Sequence, residues 1–302
     1  MLNEITSALI SVIVCSVNEA LFEDFSISLD KTIGVSYELI RIDNNVEKLS
    51  ITKAYNCGAQ KAKFEFLVFV HEDVIFHTME WGLKLLNYFF SLKDPGVLGV
   101  AGSSYLPISP SDWWISNRKY LHANYLSNDK YGAYGKGDLN HFGEQVPLRV
   151  FALDGVFLAM KKLVFVEFPF DISLEGFHGY DTSICYRISQ KYQNYFVPGI
   201  LLEHFSSGFP NETWLVNIIH ANGSIHSFIN QLKSSDQIDK KLEVKSYHLF
   251  LNQLKKFSDN YFLSSLYSTF YLYRLLKYFF SMDLIYLWIK FQFANSIKIF
   301  RK

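Results

Sequence analysis

The first hundred residues alternate short apolar runs with amphipathic segments, and that alternation restricts the fold more than any other feature. LISVIVCSV (9–17), YELIRIDNN (37–45), FEFLVFV (64–70) and GVLGVAG (96–102) are runs of strand length. Between them, SITKAYNCGAQKAK (50–63) has Ser50 placed to cap a helix. MEWGLKLLNYFFSL (79–92) gathers Trp81, Leu83, Leu85, Leu86 and Phe89 into an amphipathic helix. Strands separated by helices at this spacing predict an α/β domain with a mainly parallel sheet flanked by helices. Ligands bind such sheets beyond the carboxyl ends of the strands. Three polar clusters fall there: Asn18 with Glu19, Asp43 with Asn44, and His71 with Glu72 and Asp73. Their shared rim is the predicted site.

The third cluster interrupts an apolar stretch, EFLVFVHEDVIFH (65–77). Residues two apart in an extended strand project the same way, so His71 and Asp73 share a side and Glu72 faces the other. A carboxylate beside an imidazole suits a divalent cation and favours Mn2+ over Mg2+. The alternative is a polar strand end with no ligand.

From Ser103 to Gln145 the pattern dissolves into Gly, Ser, Asn and aromatic residues, which predicts a long loop: a lid, a binding loop or a surface insertion. Trp113 and Trp114 in that loop either stack on a ligand or pack. Order returns in LRVFALDGVFLAMKK (148–162), two apolar runs about Asp154-Gly155. A helix begins at Asp181 in YDTSICYRISQKY, where the carboxylate is either a helix cap or a general base held by the helix terminus. YFVPGILLEHFSSG reads as a strand entering a polar turn. There His204 with Ser206, Ser207 and Gly208 could receive a phosphate, or His204 is an ordinary hydrogen-bonded residue. Neither a P-loop nor a G-x-G-x-x-G after the first strand is present, which argues against nucleotide hydrolases and dehydrogenases of those types.

Hydrophobic residues make up 49% of the 302 and charged residues 19%, enough for a sizeable core. Zero formal net charge gives no reason to expect a nucleic-acid partner. Three separated cysteines suit neither a disulfide framework nor a zinc site, and reduced thiols point to the cytoplasm. ALISVIVCSV lacks the basic start of a signal peptide and reads as a buried strand. The composition shifts late in the chain, dividing it into an α/β domain (1–215) and a helical extension (216–302). From Tyr261 onward 14 of 42 residues are aromatic, and six Lys or Arg face one acid, Asp283. Two helices are predicted there, broken near Ser281–Asp283. Charges interrupt every 18-residue window, so neither spans a membrane. Either these helices lie at an anionic membrane surface, or they pack on the domain or on a second copy in a homodimer.

Taken in order, SVIVCSVNE, IRIDNN, AYNCGAQKAK, FVHEDV, LDGVFLAMKK and the GYD that opens a helix resemble the family 2 glycosyltransferases. These have the GT-A-like, Rossmann-related fold. The resemblance covers about residues 8 to 210 and is closest to the group typified by a streptomycin-biosynthesis protein, in which an H-x-D type motif replaces D-x-D. It implies that Asp43 binds the base or ribose of a nucleotide-sugar donor. Asn56 and Gly58 would lie near that nucleotide, with Asn18, Glu19 and His71 on the donor side. Asp73 would ligate a metal, Mn2+ or Mg2+, and His204 would be a further metal or diphosphate contact. Asp181 would deprotonate the acceptor hydroxyl, with Trp113, Trp114 and Asp154 as sugar or acceptor contacts. Two positions depart from the family pattern: His71 stands where Asp is usual, and Tyr180 where a Glu usually precedes the base.

The expected reaction is metal-dependent hexosyl transfer to a hydroxyl of a glycan or lipid-linked acceptor, serving surface polysaccharide or glycoconjugate synthesis in the cytoplasm or at the inner membrane face. One base with one metal site implies inversion, since double displacement needs a carboxylate nucleophile at the sugar. The rival expectation is a catalytically silent GT-A-like module that binds a sugar nucleotide or anchors a partner. A metal-dependent phosphotransferase would call for further carboxylates at the same rim.

Overall fold

The computed structural model describes residues 9–114, 117–127, 138–142, 146–205, 210–225, 229 and 238–300. Its first half alternates strand and helix: β1 (Ile10–Ser16), α1 (Glu19–Thr32), β2 (Tyr37–Asp43), α2 (Ile51–Lys61), β3 (Phe66–His71), β4 (Val74–Phe76), α3 (Trp81–Ser91), β5 (Pro95–Gly99) and β6 (Ala101–Ser103). The α/β order is the predicted one, and α1 is a helix where the sequence reading named none. There follow β7 (Leu121–Ser127), β8 (Asp138–Phe142), β9 (Leu148–Val150), β10 (Ala152–Leu153), β11 (Phe157–Lys161), α4 (Lys162–Glu167), α5 (Tyr180–Ile188), β12 (Gln193–Phe196) and β13 (Leu202–His204). Four helices close the chain: α6 (Glu212–Ser224), α7 (Lys240–Phe257), α8 (Tyr261–Leu276) and α9 (Met282–Phe300).

The main sheet has the order β2-β1-β3-β11-β5-β12-β9. β11 runs antiparallel to both β3 and β5, so those two share a direction, and with β1, β2 and β12 they make five parallel strands of seven. This is the GT-A-like α/β architecture that the resemblance implies, with helices on both faces and a helical C-terminal region.

Strand alternation divides the core in two. Ile10, Val12 and Val14 of β1 and Phe66, Val68 and Val70 of β3 join Phe25 and Leu29 of α1 and Trp81, Leu85 and Phe89 of α3. The intervening Ile13, Leu67 and Phe69 meet Tyr55 and Ala59 of α2, Phe165 of α4 and Ile184 of α5 on the opposite face. Each such side chain, fully buried, stabilises the fold by roughly 1.5–3 kcal/mol before entropy is counted. A near-continuous apolar run such as FLVFV is therefore what a strand covered on both faces requires. Gly58 lets α2 lie directly on β1, because a Cβ there would collide with the Ile13 side chain.

Two sequence readings are corrected. GVLGVAG is two strands, not one: β5 belongs to the main sheet, and beyond Val100 β6 enters a second sheet ordered β10-β6-β7-β13-β4. The 103–145 segment is not structureless, since β7 and β8 pair antiparallel within it. LDGVFLAMKK turns about Asp154-Gly155 from the second sheet into β11 of the first. The compositional boundary near residue 215 falls inside α6.

The C-terminal helices pack on the α/β layers. Glu243 of α7 is buried and accepts hydrogen bonds from the Tyr105 hydroxyl (2.7 Å) and the Ile108 amide (3.0 Å). Buried Arg274 of α8 donates to Asn222 of α6 at 2.9 Å. No helix among the described residues is long and apolar enough to cross a membrane.

Candidate active site

The two sheets meet where β3 ends. After His71 the chain turns at Glu72-Asp73 and re-enters as β4, which pairs antiparallel with β13 so that Val74 lies opposite His204. The Phe205 amide donates to the Asp73 carbonyl at 3.0 Å, pinning the end of β13 onto the turn. Three side chains from distant sequence therefore converge. His204 Nε2 lies 3.3 Å from Asp73 Oδ1, His71 Nδ1 lies 3.9 Å from the same oxygen, and His71 Nδ1 is 3.4 Å from His204 Nε2. One donor atom from each lies within 4.8 Å of the others, close enough to share an ion.

The donor set fits a divalent cation with borderline-soft preference, two imidazoles and one carboxylate. The outer contact fits as well. The Tyr180 hydroxyl donates to the Gly155 carbonyl (3.1 Å) and receives His71 Nε2–H (2.7 Å), which leaves Nδ1 bare and aimed at Asp73 and His204. Burial pushes the Asp73 carboxyl up, but the hydrogen bond and charge of His204, with the charge of His71, outweigh it and hold it at about 2. Burial lowers the His71 pKa, against the charge of Asp73. Burial also lowers that of His204, yet its bond to Asp73 leaves it raised overall. Glu72 faces away, accepting the Val17 amide at 3.1 Å and the Asn18 amide at 3.1 Å.

A cavity of about 370 Å³ opens on one side of this trio, lined by His71 and His204 together with Asp112, Trp113, Asp154, Asp181 and Trp214. Asp181 sits in the first turn of α5, where its carboxylate accepts from the Gly155 amide (3.0 Å) and the Thr182 amide (2.7 Å). Burial and then the Asp154 charge raise its pKa to about 7, although those amides pull it down. Asp112 is raised to about 7 as well, by burial and then by Asp181. A second cavity of about 330 Å³ lies toward β1, lined by Cys15, Val17, Leu21 and Ile51 with His71, Glu72 and Asp73. His71 lines both cavities.

The structure thus brings Asp73, His204, Asp154, Asp181 and Trp113 to one place. His71, expected with the nucleotide, stands beside Asp73 and His204 because β3 extends through it. Trp114 is half-exposed and does not line the cavity. Asn56 and Gly58, expected near the nucleotide, are committed elsewhere: the Asn56 amide exchanges hydrogen bonds with the Phe170 backbone (2.9 and 3.0 Å), and Gly58 lies under Ile13. Asn18 caps α1, Glu19 forks onto Arg41, and Asp43 closes a turn with Asn45. These stand at the rim but line neither cavity. Ser206, Ser207 and Gly208 lie outside the described residues. The residues that sequence reasoning missed are Trp214, near the start of α6, and Asp112, hidden in the loop beside Trp113. An acid inside an aromatic stretch was the one visible signal of Asp112.

Residues 11–233 match the family model described as a glycosyltransferase-like family. The chain belongs to that glycosyltransferase-like family. No curated protein matches it. Its likeness to solved structures is loose, as two of them show. The crystal structure of GalNAc-T7 with UDP, GalNAc and Mn2+ aligns over 71% of this chain and 47% of its own, at 15% identity and a TM-score of 0.48. The crystal structure of A197 from STIV aligns over 66% and 86%, at 14% identity and a TM-score of 0.37. The chain therefore spans about half the length of the GalNAc-T7 chain. Within this glycosyltransferase-like chain, the family match covers every residue of the trio and both cavities' polar walls.

Proposed function

We propose that this protein transfers a hexosyl group from a nucleotide-sugar donor to a hydroxyl of a glycan or lipid-linked acceptor, with inversion. The observation that carries the reading is the placement of Asp181 with His71 and His204 around one cavity, while Asp73 of the same trio lines a second. The family match supports the reaction class, and the His71-Glu72-Asp73 sequence supports the streptomycin-biosynthesis-like subgroup.

The cavity against Val17, Leu21 and Ile51 takes the nucleotide, whose base meets apolar surface there. His71, Asp73 and His204 hold a divalent cation, manganese or magnesium. When bound, that cation offsets the charge that develops on the departing nucleoside diphosphate. The acceptor enters the larger cavity and lies against Trp113 and Trp214. Asp181, with a pKa near 7, takes the proton from the acceptor hydroxyl as that oxygen attacks the anomeric carbon. No carboxylate is assigned to a covalent intermediate, so attack opposite the leaving diphosphate inverts the centre. Three free thiols, Cys15, Cys57 and Cys185, accord with work in the cytoplasm, in surface polysaccharide or glycoconjugate assembly.

The test is calorimetric titration of UDP, GDP, CMP and dTDP with and without Mn2+, on the wild type, Asp73→Ala and Asp181→Asn. One nucleotide should bind with cation, bind poorly to Asp73→Ala and normally to Asp181→Asn. That nucleotide's sugars then serve in transfer assays, where Asp181→Asn should be inactive. Tight binding with no turnover of any sugar form would favour the silent sugar-nucleotide module instead.

A further inference from the structure

The packing of α8 and α9 leaves a surface that the transfer reaction does not use. The two helices run antiparallel, joined by Trp288 to Thr269 (3.1 Å), Gln292 to Ser268 (2.9 Å) and Asn295 to Ser265 (2.7 Å). One side of the pair, with Tyr271 and Leu275 of α8 and Leu284 and Phe291 of α9, is buried in the main core. The opposite side is apolar too, yet open to solvent. On α8, Phe262, Leu266, Phe270 and Tyr273 recur at helical spacing and are 71%, 51%, 48% and 62% exposed. On α9, Met282, Tyr286, Ile289 and Phe293 do the same, at 66%, 63%, 54% and 69%. Phe280, in the connection between them, is 74% exposed. Contiguous aromatic exposure of this kind marks an interaction surface.

Charge decides the occupant. Lys277 and Lys290 are exposed on these helices, and Asp283 is the one acid from Tyr261 to the end of the sequence. Lys290 also lines a cavity of about 200 Å³ between α7 and α9, with His248, Asn252 and Lys255 among its other walls and no acid. These are donors suited to a phosphate oxygen. A second copy seated on the same face would bring two basic surfaces together, with Asp283 as the one acid on each to answer the lysines. We infer that the outward face of α8 and α9 docks this protein on an anionic lipid surface, with aromatic side chains at headgroup depth and a lipid phosphate received beside Lys290. The geometry is interfacial, since no described helix can span the bilayer. The inference stands apart from the transfer chemistry and does not depend on it.

Flotation of the full chain with vesicles tests it. Phosphatidylcholine vesicles carrying phosphatidylserine should bind the protein, vesicles of phosphatidylcholine alone should bind it weakly, and added salt should release it. Lys277→Glu with Lys290→Glu should lower apparent affinity by about thirtyfold or more. Phe262→Ser with Phe293→Ser should abolish binding at low salt, with an unchanged melting curve showing that these surface changes leave the fold intact. Failure of the wild type to float with either vesicle overturns the inference, as does binding to both equally with no effect of salt. A dimer in sedimentation that Phe293→Ser dissociates, with no flotation, assigns the face to a second copy instead.

Discussion

The Tyr180 hydroxyl lies 2.7 Å from Nε2 of His71 and 3.1 Å from the Gly155 carbonyl, and it has a single proton to give. That proton goes to the carbonyl, so His71 donates from Nε2 and keeps Nδ1 as a bare lone pair. Gly155 is required for the contact, because a Cβ there would collide with the Tyr180 ring and hydroxyl. The two departures from the family pattern are thus one interaction: an imidazole in place of a carboxylate, and the phenol that fixes its tautomer.

Tyr180→Phe removes that hydroxyl and nothing else. Outer-shell contacts of this kind are worth about ten- to a hundredfold in cation affinity. Calorimetric titration of Mn2+ should show a loss of that order, alongside a stability cost of about 1–3 kcal/mol for the polar groups left unpaired. Unchanged Mn2+ affinity would remove His71 from the ligand set.

Asp181 must be ionised to accept a proton, and burial with the Asp154 charge raises its pKa to about 7. Transfer should therefore be slow in mild acid and rise through pH 7 to a plateau. Asp154→Asn removes the neighbouring charge, so the midpoint of the kcat/KM profile should move toward acid. A profile flat from pH 5 to 8 would exclude Asp181 as the base.

Glu72 holds the Val17 and Asn18 amides and faces away from the trio. Glu72→Ala frees the end of β1 and the start of α1, and should cost about 1–3 kcal/mol in denaturant unfolding. Glu72→Gln should recover part of that loss. Neither should alter Mn2+ affinity by more than about twofold, which is small beside the tenfold carried by each 1.4 kcal/mol. A large affinity loss in Glu72→Gln would place Glu72 among the ligands.

β1, β3 and α3 were legible because those strands are covered on both faces and that helix on one, and such burial writes itself into apolar periodicity. α1 was not read, since two of its four buried positions are the polar Ser28 and Thr32. The convergence of Asp73 and Asp181 was legible for the same reason: both sit where a periodic segment ends. His204 reaches the trio through a three-residue strand, and β10 has two residues, lengths at which alternation carries no signal. The second sheet went unread because its strands pair across long sequence separations, β7 with β13 and β4 with β13. Asn56 and Gly58 line neither cavity because they pack on Phe170 and Ile13, partners that are not their neighbours in the chain. Asp112 gave no sign of its burial, which is conferred by the fold around it.

That burial has a measurable cost. Asp112 and Asp181 both titrate near pH 7 in the folded protein, above the ordinary carboxyl value of 3.8. A carboxyl whose folded pKa is raised gives its full stability below the unfolded value, near pH 4, and loses it as pH climbs to 7. Burial is the largest cause for each, and mutual repulsion with Asp154 adds to it. Asp112→Asn keeps the shape and removes the charge. Its unfolding free energy should match the wild type at pH 4 and exceed it at pH 8, by up to about 4 kcal/mol for a shift of about three units. Asp181→Asn should behave alike, less the hydrogen bond it loses to Gly155 or Thr182. Equal differences from wild type at pH 4 and pH 8 would show that these carboxyls are ionised at ordinary pH. They would then be solvated rather than held in a protected acceptor cavity, and the acid–base role of Asp181 would lose its physical basis.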